Sequence, residues 1–152
     1  DYYASRGLGD VYKRQILEIV PIRKPMLCID EICEVDYGNY VEGYRNINKD
    51  EYWGNCHFIN QAIFPGTLII ETMAQISAFM FYKGKDTKTL ESYLGRVDKT
   101  KFLKVVTPDC RMYIKAHLLT KVNNLTKMHC SAYVNNEKVA TAEITLFFLN
   151  TV

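Results

Sequence analysis

The second half of the chain alternates between apolar and polar residues, the pattern of β-strands with one buried face. The stretch Ala140–Leu146 places Ala, Ala, Ile and Leu at every second position, with Thr, Glu and Thr between them. Such alternation indicates one face against a core and one in solvent. Asp36–Asn39 and Asn135-Asn136 are typical of hairpin turns. Strands are predicted at Met26–Val35, Asn39–Ile47, Leu90–Phe102, Arg111–Val122, Leu125–Val134 and Glu137–Leu149.

One segment has the periodicity of a long helix. Thr67–Tyr82 is apolar almost all the way round a helical projection, which indicates burial on every side, and Pro65-Gly66 leads into it. A short apolar turn at Ile16–Val20 is ended by a proline. Several antiparallel strands with one buried helix predict an α+β domain in which the sheet wraps around the helix.

The first fifteen residues, DYYASRGLGDVYKRQ, lack the periodicity of the rest of the chain. Within them, Ser5–Gln15 reads as the translation of a sequencing-library adapter. We therefore predict that Asp1–Gln15 is a non-native leader and that residues 16–152 form a single domain. A natural disordered leader is the alternative interpretation.

Composition argues against several classes of protein. The 152 residues carry a net charge of +2 with no basic block, which gives no support to nucleic-acid binding. The long apolar segment contains Glu71 and Gln75 and is shorter than the ~20 residues of a membrane span. Five cysteines without a CxxC pair indicate reduced thiols, so we expect a cytoplasmic protein.

Polar residues in apolar surroundings mark the candidate chemistry. Glu71 lies inside the apolar helix, with Gln75 one turn later on the same face. Burying a carboxylate is costly, so Glu71 either pairs, with Arg23 as its structural candidate, or takes part in acid–base chemistry. His57 offers a base shortly upstream, and Gly66 precedes the helix, where backbone N–H groups can hold an oxyanion. This set suits α,β-elimination beside a thioester.

The segment around His57 and Glu71 resembles the signature of the FabZ-type 3-hydroxyacyl-acyl-carrier-protein dehydratases; it reads CHFINQAIFPGTLIIETMAQ. Further resemblance lies upstream in PIRKPMLCIDEI and downstream in VDKTKFLKVVTPDCRM, and it spans roughly residues 16–149. The resemblance implies a hot-dog fold. It also implies dehydration of 3-hydroxyacyl thioesters to trans-2-enoyl thioesters, in fatty-acid synthesis or in related polyketide or polyene synthesis.

The resemblance also implies roles for individual residues. His57 would remove the proton next to the thioester carbonyl, Glu71 would assist departure of the 3-hydroxyl group, and Gly66 would bind the carbonyl oxygen. Gln75 and Phe58 would contact the substrate, and the acyl tunnel would be lined by Phe64, Ile69, Met73 and Phe102. No metal or redox cofactor is needed for this reaction.

Partners follow from the same resemblance. Two protomers of the family build each site, so His57 would act with Glu71 of the second copy in a homodimer, and a hexamer of three dimers is a further alternative. The acyl group would be carried by the acidic acyl carrier protein, with coenzyme A as the other carrier. A basic cluster offers a docking face for it or is an ordinary solvated surface; it consists of Arg96, Lys99, Lys101 and Lys104.

The chain departs from the family pattern at two places. Ile22 stands where the family has a histidine, and Ile59-Asn60 replaces the Pro-Gly that follows His-Phe. The order Cys-His-Phe resembles the FabA-type relatives, which also isomerise, but those have aspartate at the position of Glu71. Two other functions therefore stay open: a hot-dog acyl thioesterase and a non-catalytic acyl-thioester-binding protein.

The remaining cysteine and histidine candidates predict no further chemistry. Adjacent residues of an extended segment point to opposite faces, so a Cys56–His57 dyad is not expected. His117 and His129 lie on predicted strands without the spacing of metal ligands, so a zinc site is not expected either.

Overall fold

Six antiparallel strands form one continuous sheet in the computed structural model, which describes residues 16–82 and 91–149. In chain order the strands are β1 (Glu31–Asp36), β2 (Tyr40–Ile47), β3 (Ser92–Phe102), β4 (Cys110–Val122), β5 (Leu125–Val134) and β6 (Glu137–Phe148). Their order across the sheet is β1-β2-β4-β5-β6-β3. The predicted leader Asp1–Gln15 and the predicted strand start at Leu90 lie outside the described residues.

One helix, α1 (Gly66–Phe79), contacts strands β2 to β6. The buried apolar face predicted for β6 is confirmed at every second position from Ala140 to Leu146, because these residues share one core with Met73 and Ile76 of α1. An antiparallel sheet wrapped around one long helix is the hot-dog arrangement. The predicted α+β class is therefore confirmed.

The first turn of α1 is more open than predicted. Thr67 is exposed and Glu71 is half-buried, whereas the helix is buried throughout from Thr72 to its end at Phe79. The prediction of burial on every side is therefore wrong for this turn. Its exposure leaves the N-terminal N–H groups of the helix accessible to a ligand.

The strand predicted to start at Met26 begins only at Glu31. The N–H groups of Met26 and Leu27 bond to the carbonyl of Arg23 at 3.0 and 3.1 Å, which forms a turn. The N–H of Cys28 bonds instead to a helix side chain, described below. Because residues 26–28 make these bonds within a turn and with the helix, they do not join the sheet.

The helix ends at Phe79, three residues earlier than predicted. The N–H groups of residues 80–82 bond to carbonyls three residues back, a tighter winding that terminates an α-helix. The hairpin turn predicted at Asp36–Asn39 is confirmed and lies beside this end. Its Gly38 adopts φ +85° and donates its N–H to the Met80 carbonyl at 2.8 Å.

Two further properties bear on the expected environment of the protein. In residues 16–82 and 91–149, no helix is long and apolar enough to cross a membrane. All five cysteines of the sequence lie in these ranges and are free thiols.

Candidate active site

Glu71 is held by a side chain of its own helix. The amide of Gln75 donates to the Glu71 carboxylate at 2.7 Å and to the Met26 carbonyl at 2.8 Å. Its oxygen accepts the Cys28 N–H at 2.7 Å. Gln75 is only 5% exposed, so the structure places it as a bridge between the helix and the segment before β1.

Arg23 does not pair with Glu71, contrary to the structural alternative raised from the sequence. Its guanidinium donates to three backbone carbonyls, those of Leu17, Val20 and Ile22. These bonds hold the helical turn at residues 16–19 against the prolines that follow it. Glu71 is thus held by Gln75 and not by Arg23.

His57 lies just after a short 3₁₀ turn, Tyr52–Asn55. The carbonyl of Trp53 in this turn accepts the His57 N–H at 3.1 Å. The ring nitrogen Nδ1 lies 2.8 Å from the Ile63 carbonyl. A carbonyl oxygen only accepts, so Nδ1 carries the hydrogen and a neutral His57 ring has its lone pair on Nε2. This leaves an exposed imidazole oriented as a base.

The two residues on either side of His57, Cys56 and Phe58, make different contacts. The Phe58 ring lies beside the imidazole, with ring centroids 4.3 Å apart. The Cys56 thiol donates to the Tyr52 carbonyl at 3.0 Å, so Cys56 and His57 engage different groups. The local backbone is a tight turn and not the extended segment assumed from the sequence, but no hydrogen bond joins the two side chains among those described.

Gly66 is the first residue of α1 and lies beneath an aromatic ring. A Cβ atom added at Gly66 would come within 3.0 Å of the Phe102 ring, closer than ordinary contact. Both residues line a cavity of about 360 Å³ together with Phe64 and Ile69. Met73, predicted as a tunnel residue, is fully buried in the core and is not among the residues lining this cavity.

The proposed catalytic residues do not meet in one cavity of a single chain. Glu71 and Gln75 line a narrow cleft of about 60 Å³ that also contains Ile22. Gly66 lines the larger cavity, and His57 lines neither. Ile59, two residues after His57, is 97% exposed.

The basic cluster on and after β3 is largely neutralised by carboxylates of the same chain. Arg96 pairs with Asp98 at 2.8 Å, Lys99 pairs with Glu143 at 3.3 Å, and Lys104 pairs with Glu137. The surface around this cluster therefore carries mixed charge and not four free cations.

His117 and His129 are neighbours although their sequence spacing did not indicate it. The register of β4 and β5 sets them opposite each other, with ring centroids 5.2 Å apart. Burial, followed by the charge of His117, lowers the pKa of His129. Over the described ranges, no group of three or more His, Cys, Asp or Glu side chains is arranged to hold a metal ion.

Sequence reasoning missed Arg45, a buried residue with a direct connection to the His57 loop. It occupies an inward position of β2, between Gly43 and Ile47, and is 1% exposed. The signal was present in the sequence, because a charged residue interrupts the apolar face of the strand predicted at Asn39–Ile47.

Comparison with known proteins shows one family over most of the chain. The FabA-like domain matches residues 20–143. A 3-hydroxyacyl-acyl-carrier-protein dehydratase FabZ from Sulfurovum sp. (strain NBC37-1) is 33% identical over 136 residues, covering 86% of this chain and 91% of the relative. Its counterpart from Clostridium botulinum (strain Okra / Type B1) is 34% identical over 135 residues, covering 89% and 92%.

Solved structures share the fold at lower sequence identity. The dehydratase heterocomplex ApeI:P from Xenorhabdus doucetiae superimposes with a TM-score of 0.72 at 18% identity, covering 89% of this chain and 91% of that one. A hypothetical thioesterase with coenzyme A from Streptococcus pneumoniae TIGR4 gives a TM-score of 0.61 at 15% identity, covering 80% and 86%. At these identities the likeness is one of fold, and it supports the hot-dog arrangement.

Proposed function

This chain belongs to the FabA-like family, and on that premise we propose that it dehydrates 3-hydroxyacyl thioesters of acyl carrier protein to trans-2-enoyl thioesters, as in fatty-acid synthesis. The observation that carries the proposal is the identity of 33–34% to FabZ dehydratases over most of both chains. The family match includes His57, Gly66 and Glu71 within residues 20–143. The enzyme is then a hydro-lyase.

In the proposed reaction His57 acts as the base. Its Nε2 takes the proton from the carbon next to the thioester carbonyl, and the hydrogen bond from Nδ1 to Ile63 keeps the ring in the required tautomer. The electron pair of the broken C–H bond forms an enolate. The free N–H groups at the start of α1, beginning with Gly66, stabilise its oxygen.

Glu71 supplies the acid. Its proton goes to the 3-hydroxyl group as the C–O bond breaks, so that water leaves and the new double bond forms between the two carbons. The hydrogen bond from Gln75 occupies one carboxyl oxygen and leaves the other for the hydroxyl. The proton taken by His57 then passes through solvent back to Glu71, so the net reaction releases one water molecule and requires no cofactor.

A homodimer with shared sites accounts for residues that one chain leaves uncovered. β3 pairs with β6 along one side only and lies at the edge of the sheet, where unpaired backbone groups favour association with a second strand. Its Tyr93 and Leu94 are about half-exposed, and Ile59 beside His57 is almost fully exposed. We propose that the partner covers these residues and brings His57 of one chain to Glu71 of the other.

The carrier and the location complete the proposal. Acyl carrier protein is the carrier in the printed names of the relatives, and Lys101 with the paired cations of β3 offers it a face of mixed charge. Five free cysteines support the cytoplasm as the place where the protein works.

A dehydration assay tests the function directly. The parent chain is given a short 3-hydroxyacyl thioester of acyl carrier protein or of coenzyme A, and the enoyl product is followed spectroscopically. His57→Ala and Glu71→Gln should each lower the rate by roughly 10² or more. His117→Ala is the matched control, because it removes an exposed imidazole far along the sheet in β4, and it should keep the parent rate.

The reaction products distinguish a dehydratase from the two alternative functions. Free acid in place of enoyl thioester would identify a thioesterase, and tight binding with no product would identify an acyl-binding protein. Either result from the parent chain would overturn the dehydratase proposal.

A further inference from the structure

Arg45 is the one arginine of the described residues whose guanidinium lies inside the core. The alternation of β2 turns Val41, Gly43, Arg45 and Ile47 inward, and Arg45 is 1% exposed. Its carbon Cζ lies 5.2 Å from the centre of the Phe64 ring. A buried guanidinium requires hydrogen-bond acceptors, and Arg45 has two of them, which come from different segments of the chain.

The first acceptor, Glu51, lies at the start of the turn that leads to His57. The Nη2 group of Arg45 donates to the Glu51 carboxylate at 2.5 Å, and the other Glu51 oxygen accepts the N–H of Asn48 at 3.1 Å. Glu51 is the N-cap of the 3₁₀ turn that contains Trp53, and the Trp53 carbonyl accepts the His57 N–H. A continuous series of contacts therefore connects Arg45, through Glu51 and the 3₁₀ turn, to His57.

This turn is closely packed. A Cβ atom added at Gly54 would lie 1.9 Å from the Lys49 carbonyl oxygen, so the chain folds back closely on itself at this point. Trp53 packs edge-on against Phe64, with ring centroids 5.1 Å apart. The same Phe64 ring lies under the Arg45 guanidinium.

The second acceptor belongs to the segment that holds Glu71. The Nη1 group of Arg45 donates to the Leu27 carbonyl at 3.3 Å. The residues on either side of Leu27, Met26 and Cys28, are the backbone partners of Gln75, whose amide also holds Glu71. One planar side chain thus contacts both the His57 turn and the Glu71 support.

We propose that Arg45 is a positioning residue that fixes the His57 turn relative to the Glu71 support through its two acceptors, Glu51 and Leu27. The proposal rests on the function proposed above. In a dimer with shared sites, each Arg45 would hold His57 of one site and Glu71 of the other.

Stability alone does not account for this ion pair. The Arg45 Nε atom is buried and has no hydrogen-bond partner among the described residues, and a buried ion pair is often no more stabilising than apolar residues of the same size. A role in fixing geometry explains why a guanidinium with two directed donors occupies the site.

The test separates positioning from stability. Arg45→Met leaves the half-buried Glu51 without its cation, and Glu51→Gln leaves the buried Arg45 without its anion, so both should lower Tm. The double variant Arg45→Met/Glu51→Met leaves no buried charge, and its Tm should recover toward the parent value. Its kcat should nevertheless remain about tenfold or more below the parent with KM changed less than about twofold, as expected when only the catalytic geometry is lost.

Arg111→Met is the matched control, because it removes an arginine that pairs with Glu31 on the surface, and it should change neither kcat nor Tm appreciably. The ¹⁵N signals of the His57 ring give a readout that needs no turnover. They should shift or broaden in the double variant and stay unchanged in the control.

A double variant with the parent Tm, the parent kcat and unchanged His57 signals would overturn the proposal. If the double variant does not fold, Arg45→Lys decides, since an ammonium keeps the charge but lacks the planar fork that serves two acceptors. Reduced kcat with unchanged KM in this variant supports the proposal, and parent kcat rejects it. A parent chain without dehydratase activity would reject the proposed function, and the His57 signals would still test whether Arg45 positions the ring.

Discussion

Replacing Gln75 by Leu should destabilise the protein through one backbone group in particular. The substitution keeps the side-chain volume but removes the bonds to Cys28, Met26 and Glu71. Met26 is half-exposed and Glu71 is half-buried, so water can replace their lost partner. Cys28 is 1% exposed, and its N–H would be left buried without an acceptor.

The expected loss in the free energy of unfolding comes mainly from the unsatisfied N–H of Cys28. An unsatisfied buried donor costs about 1–3 kcal/mol, and the two partly hydrated acceptors add less, so we expect a loss of about 2–3 kcal/mol. For a chain of this size each kcal/mol lowers Tm by about 2–4 °C, which gives a decrease of about 4–12 °C. Thermal and urea denaturation followed by circular dichroism would measure it, with the m value unchanged.

Thr72→Val is the matched control on the same helix. It removes a fully buried hydroxyl whose partner is the Leu68 carbonyl one turn earlier, and that carbonyl belongs to a helix that supplies its own donors. The control should therefore lose no more than about 1 kcal/mol. If Gln75→Leu were as stable as Thr72→Val, the bridge from the helix to residues 26–28 would not support the fold as argued.

Two further predictions concern the assembly and the outer face of the sheet. A mixture of His57→Ala and Glu71→Gln chains, each inactive alone, should regain about a quarter of the parent activity, because half of the dimers are mixed and each has one intact site; no recovery would place both residues in one chain. The lowered pKa of His129 means that its stabilising effect is complete above its ordinary value of 6.5 and is lost as the pH falls below it. The decrease in Tm from about pH 7.5 to about pH 5.5 should thus be smaller in His129→Gln, and an equal decrease would remove His129 as its source.

The periodicity of the sequence was sufficient for the elements that bury one face. β5 and β6 were predicted to within one residue because their apolar and polar positions alternate over most of their length and asparagines mark the turn between them. The strand predicted from Met26 starts too early, and the periodicity of the sequence could not show this. Its first residues bond to a helix side chain 47 positions away, and such a partner is known only once the chain has folded.

The same distinction applies to the site. His57, Gly66 and Glu71 could be named from a local motif, because each lies within a contiguous segment whose residue types resemble one family. Their supports could not, since Leu27, Arg45 and Glu51 come together only through the packing of β2 against the segments around it. Local sequence thus identifies the groups that would react, and the folded chain identifies the groups that hold them.

Because other residues hold the reacting groups in place, Ile22 and Ile59-Asn60 do not by themselves argue against catalysis. Ile22 lines the cleft beside Glu71 but leaves the Gln75 bridge intact. Ile59 lies on the exposed side of the His57 loop, away from the Trp53 and Ile63 carbonyls that bond to His57. Neither departure removes a hydrogen bond that orients His57 or Glu71. Their effect should therefore fall on the surface offered to the acyl chain and to the partner, which is where one dehydratase differs from another in what it accepts.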